Sequence, residues 1–139
     1  MAGTTRYDVR PVAHVQSPLV HRDEAPRQGD EGAPEVVLVF DEHYRRAMTD
    51  LAPGTDVLLL TWLDRADRET QAVHPRSDPD RPVTGVFSTR SPDRPNPIGL
   101  HRVTIAAVED LRVRVRPLEA LDGTPVLDVK PVLDTGTER

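Results

Sequence analysis

Prolines at positions 92, 95 and 97 stiffen one polar stretch, Arg90-Ser91-Pro92-Asp93-Arg94-Pro95-Asn96-Pro97, more than any other part of the chain. Each fixes φ and removes a backbone donor, so the stretch is excluded from helix and from interior strand and has to be a loop. The small and apolar residues Gly85 to Ser88 lead into it as a strand end, and Ile98-Gly99 restart apolar sequence. Rigidity of this kind is already present in the unfolded chain, which suits a loop that holds Arg90 and Arg94 in one pose for a ligand. A Pro-rich surface turn has the same composition, so the prolines alone do not decide between the two.

A chain of 139 residues is the size of one domain, expected here over 1–139 with flexible ends at 1–7 and 134–139 and no additional C-terminal domain. The absence of cysteine excludes disulfides and thiolate chemistry, and five scattered histidines give no zinc-binding spacing, so no metal is expected. There is no N-terminal apolar leader and no run near the roughly 20 apolar residues of a membrane helix, so a soluble, cytoplasmic protein is expected. The net charge of −5 opposes general attraction to nucleic acid, although Arg65, Arg68, Arg76, Arg81, Arg90 and Arg94 allow a local positive patch.

Along the chain, Val9 to Gln16 reads as a first strand with Val9, Ala13 and Val15 on one face. Ser17 to Pro34 has no apolar alternation and is a long loop, of a length that usually carries function. Val36 to Phe40 is a buried strand. Asp41 is placed to cap a helix whose stripe is Tyr44, Ala47, Met48 and Leu51, ended by Pro53-Gly54. Val57 to Leu63 is the central strand, and the charge cluster Asp64 to Glu69 follows it, with Asp64 and Arg68 spaced to pair. Leu100 to Val108 and Leu111 to Arg116 alternate on either side of a Glu109-Asp110 turn, which puts Arg112, Arg114 and Arg116 on one face as a solvated edge or a phosphate track. Val126 to Leu133 is the last strand, with Leu127 and Val129 opposite Asp128 and Lys130. The count is six or seven strands with one or two short helices, the pattern of a mainly β, small antiparallel barrel. No Gly-rich phosphate loop follows a strand.

Gly85 to Gly99, together with Leu121-Asp122-Gly123-Thr124-Pro125-Val126-Leu127-Asp128-Val129-Lys130-Pro131, resembles the signature of the TsaA-like, TrmO-type methyltransferases. Pro26-Arg27-Gln28 falls where that family places a cofactor-contacting Pro-Arg-Gln, so the similarity runs from about Val9 to Leu133. The resemblance implies a β-barrel in place of a Rossmann sheet, S-adenosyl-L-methionine as cofactor, and a homodimer with the site near the subunit interface. It places cofactor contacts on Pro26, Arg27, Gln28, Asp64, Arg65, Arg90, Leu100, Arg116, Pro117, Leu118 and Glu119, and substrate contacts on Arg94, Asn96 and Lys130. Asp64 departs from the pattern, since the family often has His there.

Such a cofactor asks for an adenine slot, a clamp for its carboxylate and a pocket that tolerates a sulfonium cation. Arginine suits the carboxylate because it makes two parallel charge-assisted hydrogen bonds, and Arg90 and Arg27 are the candidates. Methyl transfer is an in-line displacement on an activated carbon, so alignment and desolvation do much of the work and a base is optional. For an amine acceptor, Asp122, Asp128 or Asp64 could take the released proton, although Asp122 also suits its Asp-Gly turn and Asp128 a pairing with Lys130. The activity implied is N6-methylation of threonylcarbamoyl-adenosine beside the anticodon of tRNA. A small-metabolite acceptor and a non-catalytic cofactor-binding module are the alternatives. In a dimer, the loop from Ser17 to Pro34 is expected to reach across the two-fold axis.

Overall fold

Short Val- and Leu-rich runs with inward and outward residues in strict alternation build the protein. The computed structural model describes residues 5–133, and the strands are β1 (Ala13–Gln16), β2 (Val36–Phe40), β3 (Asp56–Trp62), β4 (Ala72–Val73), β5 (Thr84–Gly85), β6 (Ile98–Glu109), β7 (Arg112–Arg116) and β8 (Pro125–Pro131). Six of them close an antiparallel barrel in the order β1-β2-β7-β6-β3-β8, with β8 returning to β1 through Ala13 opposite Val126. The pair β4 and β5 forms a separate two-stranded ribbon. Closure leaves no free barrel edge. The fold is the expected mainly β barrel.

The interior is filled by Ala13, Val15, Leu38, Leu59, Val103, Ile105, Val113, Val115 and Val126, each almost wholly buried. Burial of a Val or Leu side chain is worth about 1.5–3 kcal/mol, so the alternation by itself strongly fixes the register. β3 matches the expected strand to within a residue at each end and pairs with β6 on one side and β8 on the other, as every strand of a closed barrel has two neighbours.

Several local expectations are corrected. The first strand begins at Ala13, and Val9 is exposed. The helix after Asp41 is a 3-10 segment, Glu42–Met48, broken at Tyr44. Asp41 caps it by accepting from the His43 N–H at 2.8 Å, but Ala47 faces solvent and Met48 supplies the buried contact. The β6–β7 turn is Asp110-Leu111, one residue later than expected, with Asp110 at φ 55° in the left-handed region that Asp tolerates. In β8, Leu60 faces Asp128 while Thr61 faces Val126, so Leu127 is an extra, bulged residue. The alternation therefore shifts at that point, and Val126, rather than Leu127, is the fully buried residue. Of the expected flexible ends, 1–7 and 134–139, residues 1–4 and 134–139 lie outside the described residues.

Antiparallel order sorts the connections by end. The Glu42–Met48 segment and the Asp110 turn close one end with Met48 and Leu51. Three connections, 17–35, 63–97 with the ribbon in it, and 117–124, all leave the other end.

Candidate active site

Those three connections and the first residues of β6 enclose a cleft of about 880 Å³. Its walls are tied to one another by long-range contacts. Arg22 of the 17–35 loop lies 3.3 Å from the Asp93 carboxylate, Arg65 donates to the Val20 carbonyl at 2.6 Å, and Arg76 forms an ion pair with Glu31. The Asp122 and Leu118 N–H groups donate to the Leu19 and Pro34 carbonyls at 2.7 and 3.0 Å. The 17–35 loop is therefore folded over the end of its own barrel.

The proline-stiffened motif owes its shape to two arginines. Arg94 donates to the carbonyls of Val86, Ser91 and Thr89 at 2.8, 2.9 and 3.1 Å, so its guanidinium is spent on the loop itself. Arg68 lies over the Trp62 ring, 5.1 Å from its centre, and donates to the Pro95 carbonyl at 2.7 Å and to Asn96 Oδ1 at 3.0 Å. That arrangement takes the place of the expected Asp64–Arg68 pair.

Nine of the residues singled out in the sequence line the cleft: Pro26, Arg27, Gln28, Asp64, Arg65, Arg90, Arg94, Leu100 and Glu119. Arg90 donates to the Leu100 carbonyl at 2.9 Å, and Arg27 lies 3.5 Å from Ser77 Oγ. Among the described residues neither these two nor Arg65 has a carboxylate partner, so three guanidiniums on the cleft wall keep donors for an anion. Arg76 and Ser77, beside Arg27, both hold φ of 58°, a conformation costly for non-glycine residues and found preferentially at functional sites.

The other candidates lie elsewhere. Arg116 is on the outer face of β7, 3.1 Å from Glu35, with Arg114 paired to the same carboxylate at 3.4 Å and Arg112 donating to Gln16 Oε1. Leu118 is a core residue, and Pro117 is half-buried beside it. Asn96 is engaged by Arg68. Lys130 and Asp128 pair on the barrel's outer face at 3.5 Å. Asp122 sits in its turn with its side chain accepting from the Ser17 N–H at 3.0 Å. Of the three aspartates considered as proton acceptors, Asp64 alone lines the cleft.

One residue that the motifs do not point to, His101, lies at the cleft's inner surface. His101 is buried on β6, with Nε2 2.7 Å from Thr61 Oγ1 on β3 and Nδ1 2.5 Å from Glu119 Oε1. Gly99 makes room for this pair, since a Cβ there would stand 2.3 Å from Thr61 Oγ1 and 2.7 Å from His101 Nε2. The signal was present in the alternation of β6, where Gly99, His101, Val103 and Ile105 all point inward and His101 is the polar exception. No group of three His, Cys, Asp or Glu side chains among the described residues is arranged to hold a metal ion. No helix among them is long and apolar enough to cross a membrane.

A closed β-barrel with an arginine-rich cleft at one mouth defines a small-ligand site unlike the nucleotide sites of parallel α/β sheets. The family model of the tRNA-methyltransferase O N-terminal domain matches residues 14–136, and the chain belongs to that family of methyltransferase domains. An S-adenosyl-L-methionine-binding protein of Archaeoglobus fulgidus is 42% identical over 123 residues, covering 88% of this chain and 86% of that protein. A probable S-adenosyl-L-methionine-binding protein of Methanothermobacter thermautotrophicus is also 42% identical, covering 88% of each. The solved structure of TrmO from Pseudomonas aeruginosa superposes with a TM-score of 0.75 at 27% identity over 99% of this chain. This chain spans 62% of that one.

Proposed function

We propose that this chain is an S-adenosyl-L-methionine-dependent N-methyltransferase whose acceptor is N6 of threonylcarbamoyl-adenosine next to the anticodon of tRNA. The observation that carries the cofactor assignment is the set of guanidiniums of Arg27, Arg65 and Arg90, all on one cleft and without a carboxylate partner among the described residues. The residues fit the group. A cleft of about 880 Å³ is within the size range of cofactor pockets. Leu63, Val73, Ala120 and Leu121 offer apolar wall for an adenine ring, and Asp64 offers negative charge to a sulfonium. The cofactor supplies a methyl carbon activated by its sulfonium leaving group. The chain's own part is to clamp, to orient and to exclude water. Two relatives named as S-adenosyl-L-methionine-binding proteins support the same reading.

The tRNA acceptor is supported by the matching family's description and by the arginines at the cleft rim, Arg22, Arg65, Arg76 and Arg81, which could meet phosphates locally on an acidic chain. The acidic balance favours a second reading, a small-metabolite acceptor. Incubation with methyl-labelled cofactor separates them: label in the modified adenosine of tRNA supports the first, label in a metabolite extract alone supports the second, and cofactor binding without transfer to either points to a regulatory module.

The same reading makes the protein a cytoplasmic homodimer, its single domain paired through apolar surface. Phe87 is 84% exposed, and Ile98 and Leu100 share the outward face of β6 beside the cleft, surface that a second copy would cover. Light scattering should give twice the chain mass.

A further inference from the structure

One hydrogen-bonded line at the inner surface of the cleft has no part in the cofactor clamp. It runs from Thr61, fully buried, through His101, 7% exposed, to Glu119. An ionised carboxylate only accepts, so His101 Nδ1–H donates to Glu119 Oε1, and the other ring nitrogen, Nε2, shares a hydrogen bond with the Thr61 hydroxyl. Both ring nitrogens are thereby occupied, and the imidazole is held against rotation. The second Glu119 oxygen, Oε2, has no partner among the described residues, and it is not sealed off, since no buried side-chain polar atom among them lacks a partner. Glu119 lines the cleft with its side chain 15% exposed, so the free end of the line faces the ligand space.

We propose that Glu119 is the catalytic proton acceptor of the methyl transfer and that His101, steadied by Thr61, is its positioning residue. The proposal rests on the methyltransferase reading. As the acceptor nitrogen bonds the methyl carbon, the carbon–sulfur bond breaks with its electron pair left on sulfur, and the nitrogen's proton passes to Glu119 Oε2. Of the other carboxylates considered, Asp122 and Asp128 lie outside the cleft lining, and Asp64 is exposed with no partner among the described residues to orient it. A general base is useful in proportion to how well its geometry is fixed, and among the acids considered for this role Glu119 has a buried partner fixing it.

The test begins with Glu119→Gln, which keeps an oxygen for the His101 N–H and so preserves the fold. Calorimetry with S-adenosylmethionine should give an affinity within about threefold of wild type, while transfer to tRNA, or to the metabolite that wild type labels, falls by about 10²-fold or more. His101→Gln and Thr61→Val should lower kcat at unchanged KM, and Thr61→Ser should restore it. A second readout does not use turnover: the His101 ring N–H resonance should lie far downfield in wild type and move upfield in Glu119→Gln. Transfer by Glu119→Gln at the wild-type rate overturns the proposal. So does loss of cofactor affinity in step with rate, which would make Glu119 a cofactor contact, and so does an unmoved ring resonance. A wild-type chain that binds cofactor and methylates nothing overturns the methyltransferase reading itself.

Discussion

Asp93 joins two walls of the cleft: one carboxylate oxygen lies 3.3 Å from Arg22 Nη2 and the other accepts the Asp67 N–H at 2.9 Å. Both contacts are solvent-accessible, so their worth is modest, about 1 kcal/mol for the pair. Asp93→Ala should weaken S-adenosylmethionine binding about fivefold and open the 17–35 loop to limited proteolysis, with the unfolding temperature little changed. Wild-type affinity in this variant would show that the walls keep their spacing without it.

Gly99→Ala should be costly although the added group is one methyl. Its Cβ would overlap Thr61 Oγ1 and His101 Nε2, two buried atoms bonded to each other. Overpacking of this kind costs about 1–3 kcal/mol, and the variant should show both a lowered unfolding temperature and an altered His101 ring signal. Little change in either would mean that β6 can move aside.

Acid should destabilise the protein in a defined window. The hydrogen bond from Arg45 holds the Asp110 carboxyl below its ordinary value of 3.8, and the Thr104 hydroxyl, then Arg102, does the same for Asp56. A depressed folded-state value contributes stability that is present above the ordinary value and lost as pH falls through the folded one. Arg45→Met should therefore lower the unfolding temperature most above about pH 4, with the gap to wild type closing as pH falls below that value. A constant gap across that range would assign the loss to packing.

Arg114 and Arg116 share the Glu35 carboxylate on the barrel's outer face. Glu35→Gln frees both guanidiniums and should strengthen tRNA retention at low salt by about two- to fivefold, an effect gone at moderate salt. If retention is unchanged, that face takes no part in tRNA binding and the cleft rim carries it alone.

Arg27 and Arg90 line the same cleft of one chain. A mixture of Arg27→Ala and Arg90→Ala subunits should therefore stay as inactive as either alone, since no pairing of the two rebuilds an intact site. Recovered activity would show that the loops are exchanged between subunits.

What the sequence revealed depended on the range of the interaction. The alternation of Arg112 to Arg116 is a local, period-two signal, and it placed β7 and its outward arginines correctly. The turn before it was misplaced by one residue because the hairpin needs a left-handed residue at its first position, and Asp110 supplies one. The bulge at Leu127 leaves no local trace, being set by pairing with β3 some sixty-five positions earlier in the chain. In the site, the motifs pointed to Arg27, Arg65 and Arg90, yet the work of Arg94 was not legible, since three backbone carbonyls within the loop decide it. His101 could have been noticed as a polar residue on the inward face of β6, but its value depends on Glu119, which only the closed barrel brings to it.

The three connections that build the cleft leave the same mouth of the barrel, while the opposite mouth is closed by the 41–55 connection, with Met48 and Leu51, and by a two-residue turn. Changes of ligand preference and changes of strand pairing are then nearly separate problems for evolution or for an engineer. Segments can be lengthened, shortened or exchanged at the open mouth without breaking any barrel ladder bond. Relatives with this barrel can be expected to differ most there, and a library confined to 18–34 and 64–92 that spares Arg27, Arg65 and Arg90 would explore new acceptors while the scaffold stays constant.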